Sequence, residues 1–220
     1  MKLAAVEVKL LVREPGSMFT ILIPLFIMVI FGGVGDSALL PMALTISVGL
    51  VSLYLLPTTL ATYRERGILR RLSTTPVRPG SLLGVQLGLQ FVLAVVAAGV
   101  LLAVAGALPM VSAVLVFALG TAAMFAIGLL IAALAPNGRT ANGVGVLLYF
   151  PMAYLAGLIQ PVSQMPALLA EIGQYTPMGA FRQALQDAWS GAAPAPLPLV
   201  VMAASALVVS IVAAKLFRWE

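Results

Sequence analysis

The stretch RERGILRRLSTTPVRP, Arg64 to Pro79, places five arginines within sixteen positions and offers the densest chemistry in this chain. Guanidinium groups bind carboxylates and phosphates through charge and a fixed fork of donors. Such a cluster suits either anionic lipid heads or an acidic protein surface. Good helix formers from Tyr63 to Leu72 predict a short helix that ends at Thr74-Thr75-Pro76, with Gly67 as its weak point. Arg66 and Arg70 stand four apart on one face, and Leu69 and Leu72 share another. As a lipid anchor, each arginine near the surface contributes roughly 1 kcal/mol. As a docking element, the same helix would offer its leucines to a partner's cleft and its charges to the rim. Glu65 within the cluster tips the balance slightly toward docking, and from the residues alone both readings stand.

Other chemistries are scarce. The chain has no histidine and no cysteine, which removes the imidazole base, the thiol nucleophile, the disulfide and the His/Cys metal site. No GxxxxGK[ST] loop is present, and no other segment offers the lysine and metal ligands that phosphoryl transfer relies on. We therefore expect no catalytic residue, no metal site and no cofactor here, and any ATP hydrolysis would occur on another polypeptide. Candidates for lining a path are the uncharged polar residues Thr45, Ser52, Tyr54, Thr121, Asn142, Tyr149 and Tyr154, along with Thr20 and Ser47. Each has an alternative as a helix-packing hydroxyl or amide. Glu171, Arg182 and Asp187 are candidates for a charged network at one end of the fold, with a solvated rim as the alternative.

The elements that must position these groups follow from composition. The chain is 62% hydrophobic and 9% charged, against about a quarter charged for an ordinary globular domain, so an all-α integral membrane protein is expected. Apolar runs near 18–35, 39–60, 82–108, 111–134, 141–159 and 197–216 predict six spans within a single domain, 17–220. Residues 1–16 read as an amphipathic interfacial helix that turns into the membrane at Pro15-Gly16. No removable signal peptide is expected, because acids and bases mix with apolar residues from the start. Pro24, Pro57 and Pro151 are expected to kink or end helices, and Gly99 and Gly106 to permit bending. Gly84-xxx-Gly88 and the pair Gly128 and Ala132 fit close helix approach. The loop 61–81 carries the arginines, and 160–196 reads as one or two short helices packed on the outer end.

Six spans put both termini on one side. Eleven of the twelve basic residues then share that side, and Arg182 alone lies opposite. Short loops rich in lysine and arginine face the cytoplasm, so both termini and the arginine loop are expected there. The net charge of +5 is what this rule leaves behind, and nucleic acid is not an expected partner. No charge falls in mid-span. That argues against a proton-coupled carrier and fits an apolar or amphipathic cargo.

Arg64-Glu65-Arg66-Gly67-Ile68-Leu69-Arg70-Arg71-Leu72, then Thr74-Thr75-Pro76-Val77-Arg78-Pro79 and Gly84, resembles the signature of ABC-2 type transporter permeases. It is most like the bacterial drug-exporter and antibiotic-resistance branch. Tyr175-Thr-Pro-Met-Gly-Ala-Phe-Arg182 resembles the motif before the family's last span. The resemblance covers essentially the whole chain. It implies a type V exporter-like bundle of six transmembrane helices, with an N-terminal amphipathic helix and a cytoplasmic coupling helix. Glu65, Arg66, Gly67, Leu69, Arg70, Arg71 and Leu72 would couple to a separate ATP-binding subunit that holds ATP and Mg2+. It further implies a second permease copy in a homodimer, contact with membrane lipid, and a multi-pass place in the bacterial inner or cytoplasmic membrane. The expected function is efflux of a hydrophobic or amphipathic small molecule (drug, antibiotic or lipid-like). The alternatives are a membrane scaffold that recruits a partner through the same loop, or a secondary carrier.

Overall fold

In the computed structural model, residues 15–31, 39–67 and 79–216 are described, and within them the chain is helices joined by turns. In order these are α1 (Pro15–Phe31), α2 (Leu40–Glu65), α3 (Pro79–Ala105), α4 (Val111–Leu134) and α5 (Gly138–Leu155). A 3-10 turn (Val162–Gln164) leads to α6 (Ala167–Gln174), α7 (Pro177–Trp189) and α8 (Pro196–Leu216). Among the described residues, four helices are long and apolar enough to cross a membrane: α2, α3 from Leu83, α4 and α8. α1 is shorter, and α5, with Arg139, Asn142 and three glycines in its first half, is less apolar. The amphipathic helix expected at 1–16 lies outside the described residues except for its end. There Pro15 and Gly16 form the first turn of α1, where the missing proline N–H would have had no partner anyway.

Several helix ends differ from expectation, and each has a local cause. α2 continues to Glu65, past the expected end at 60, and stops in the turn Arg66-Gly67. Gly67 has φ +66°, a left-handed conformation that costs a residue without Cβ little. The helix expected across Tyr63–Leu72 is therefore interrupted at its glycine, and residues 68–78 lie outside the described set. α3 ends at Ala105 rather than 108 because Gly106 has φ +62° and the Ala107 N–H donates to Leu102 O at 3.1 Å. That pairing is a Schellman cap, so Gly106 stops the helix instead of bending it. α5 begins three residues earlier than expected, because Asn137 Oδ1 accepts from the Thr140 N–H at 2.8 Å and caps it.

Packing centres on α4, which touches α2, α7 and α8. α7 is not confined to an outer cap: Met178, Phe181 and Leu185 on it are fully buried. A Cβ at Gly120 would collide with the Phe181 ring, so only glycine in α4 leaves room for it. Phe117 completes the contact with its ring centre 6.2 Å from that of Phe181. The mean polarity of 160–196 hid this one-sided pattern, which is a property of the helix face and not of the segment's composition.

Within α2, Val51–Leu55 is a π segment, and the Leu56 N–H reaches back to Val51 O. Pro57 follows and has no N–H to offer the Ser52 carbonyl five residues before it. Two glycines from neighbouring helices meet the carbonyls here. A Cβ at Gly128 of α4 would strike Ser52 O, and one at Gly145 of α5 would strike Leu53 O. The expected close approach at Gly128 is thus made. Gly84, Gly88 and Gly99 of α3 meet nothing within 4 Å in this chain.

Candidate functional site

Two places hold the polar and apolar features singled out above. The first is the end of α2. Arg64 Nη1 donates to Ala133 O at 3.3 Å, and its Nη2 donates to Ala135 O. Both acceptors lie at the C-terminus of α4, where carbonyls lack helical partners and a cation is favoured. Glu65 Oε2 accepts from the Gly138 N–H at 3.2 Å, the first amide of α5, where an anion is favoured for the converse reason. Arg66 is exposed beside them. Leu69, Arg70, Arg71 and Leu72 lie outside the described residues.

The second place is a groove of about 480 Å³ between α1, α2 and α5. Its walls include Phe19, Ile23, Leu53, Tyr54, Tyr149 and Phe150, and no charged side chain lines it. Thr20, Tyr54 and Tyr149 are the polar side chains among its lining residues, and Tyr149 also meets Phe150 edge to face at 5.8 Å.

The other expected path residues do not join the groove. Thr45 Oγ1 donates to Pro41 O at 2.7 Å and Ser52 Oγ to Val48 O at 2.7 Å, so both hydroxyls are spent on their own helix. Ser47 Oγ instead crosses to Thr20 O at 2.9 Å and ties α2 to α1. Thr121 is fully buried with no partner for its hydroxyl, and Asn142 Oδ1 is likewise buried and unpaired. Tyr154 donates to Gln160 Oε1 at 3.4 Å beyond the end of α5. Gln86 and Gln90, which are not among the expected residues, are both buried on α3, and the Gln90 amide has no partner on either atom. Their signal was present as two amides four residues apart in an apolar run.

No ion pair joins Glu171, Arg182 and Asp187. Arg182 Nη2 donates to Gln186 Oε1 at 3.3 Å, while Asp187 Oδ2 accepts from the Ala195 N–H at 3.4 Å. Arg182 and Asp187 line one cleft of about 250 Å³ between α5, α6 and α7, and Glu171 lies outside it. Burial lowers the Arg182 pKa below its usual value.

The described residues are helices joined by turns, and four of the helices have the length and apolarity to cross a membrane. The profile of the ABC-2 type transporter family matches residues 3–188 of the 220. The chain belongs to the ABC-2 type transporter family. Comparison with curated proteins and with solved structures gave no match. As an ABC-2 membrane domain, this protein is the non-catalytic permease component of an ABC transporter, and an ATP-binding partner subunit carries the hydrolysis. The match ends at residue 188, so it takes in the arginine loop and all of α7 but its last residue, and leaves α8 outside.

Proposed function

We propose that this permease exports a hydrophobic or amphipathic small molecule, which enters the α1–α2–α5 groove from the bilayer. The observation that carries this reading is the groove itself: about 480 Å³, almost wholly apolar, flanked by exposed Phe19 and Phe150, with two tyrosines for orientation. A site of this size and character suits a small ligand held by apolar area and a few polar groups. In this reading α1 to α5 and α8 are the six spans, both termini face the cytoplasm of a bacterial cell, and loop 61–81 meets the ATP-binding subunit. A second, identical permease completes the transporter, and the likeness of the arginine-rich loop to the drug-exporter branch supports export of that kind.

ATP closes the partner subunits, and the loop follows them. Transport then requires the partner to bind two bundle states with different affinity, since equal affinity shifts no population. The test is ATP-dependent uptake of a lipophilic fluorescent dye into inside-out vesicles that contain the permease and its ATP-binding subunit. Tyr54→Ala and Tyr149→Ala are expected to lower uptake several-fold without loss of subunit association. Uptake unchanged in both variants would remove the groove from the pathway. Stable association with no ATP-driven uptake of any probe would favour a scaffold.

A further inference from the structure

The docking loop is reached through two residues that are already engaged inside the chain. Arg64 and Glu65 are adjacent and carry opposite charge, and each sits on the helix end of complementary sign. Arg64 holds the last carbonyls of α4, and Glu65 holds the first amide of α5. Gly138 brings the elements close enough, because a Cβ there would collide with Thr62 Oγ1 on α2. Asn137 caps α5 independently of Glu65, so the helix start does not depend on the carboxylate alone. Immediately after the pair, Gly67 ends α2 and the loop begins.

We infer that Arg64 and Glu65 form a clamp that makes the α4–α5 turn, residues 135–139, move with the docking loop. The inference deepens the permease reading and rests on it. A covalent connection alone would pass the loop's motion into α2 and α3, the helices on either side of it. The clamp ties the α4–α5 turn to the loop end of α2, in addition to the packing of α2 on α4 and α5 at Gly128 and Gly145, and α5 carries Tyr149 and Gly145 into the groove wall. Glu65, although exposed like Arg66, is thereby a positioning residue within the permease through its bond to the Gly138 N–H.

The natural chain has no cysteine, so spin-label pairs can be placed without background. One pair joins the loop to a reference, Ser73→Cys with Leu108→Cys; the other joins the turn to the same reference, Arg139→Cys with Leu108→Cys. Leu108 is 91% exposed between α3 and α4. Labelled copies, diluted with unlabelled ones, are assembled with the ATP-binding subunit in nanodiscs, and binding of that subunit is measured first. Addition of ATP is expected to shift both distances in the wild type.

In Glu65→Ala, and separately in Arg64→Gln, the loop shift is expected to persist while the turn shift falls at least twofold. Glu65→Gln keeps an acceptor oxygen and is expected to behave nearly as wild type. A full turn shift in Glu65→Ala and Arg64→Gln would overturn the clamp. Equal loss of subunit binding in Glu65→Ala and Glu65→Gln would also overturn it, by placing the carboxylate on the partner. If the wild type binds no ATP-binding subunit, the permease reading fails first and takes the clamp with it.

Discussion

Alanine at Gly145 and alanine at Gly143 are expected to move stability in opposite directions, although the two positions lie on the same helix. At Gly145 the new Cβ would collide with Leu53 O. That carbonyl belongs to the π segment of α2 and cannot rotate aside as a side chain would, so α5 must move away. Overpacking of this kind costs about 1–3 kcal/mol. At Gly143 the Cβ meets nothing within 4 Å and the residue is exposed. Replacement there gains up to about 1 kcal/mol from helix propensity and a less flexible unfolded chain. For a chain of this length 1 kcal/mol moves Tm by about 2–4 °C, so the two variants should differ on the order of 5–10 °C. The assay is heating of the purified protein in one detergent, followed by size-exclusion of what remains folded. Equal shifts in the two variants, or a rise for Gly145→Ala, would refute the claim that glycine admits the Leu53 carbonyl.

Gln90→Leu is expected to stabilise the protein by about 1–3 kcal/mol in the same assay, because it removes a fully buried amide with no partner. A destabilised variant would mean that the amide is satisfied in the protein. Asn137→Ala is expected to cost about 1 kcal/mol through loss of the cap on α5. Hydrogen exchange at the Thr140 amide should rise in that variant, and unchanged protection there would count against the cap.

The sequence by itself determined what depends on each segment alone. Apolar run length and sparse charge announced a membrane protein; among the described residues four helices have the length and apolarity of a span, and local caps at Asn137, Gly67 and Gly106 set helix ends. The arginine loop was legible because both charge and its place between apolar runs are local. Hydropathy and capping involve residues within a few positions of one another, which is why they can be read from one strand of text.

Only the tertiary structure decided which groups meet. The acceptors of Arg64 lie 69 and 71 positions away, and the donor to Glu65 lies 73 away. No spacing rule links them, because each requires the α4–α5 turn to fold back beside the end of α2. The same holds for the polar residues of the helices. Nothing in their types separates Tyr54 and Tyr149, which line the groove, from Thr45 and Ser52, whose hydroxyls turn back onto their own helix. The difference arises from which face of each helix its neighbours cover, and Phe181 is buried because Gly120, sixty-one positions earlier, leaves space for its ring. Complementary shape between distant segments is a property of the packed bundle, and it exists only once the helices are side by side.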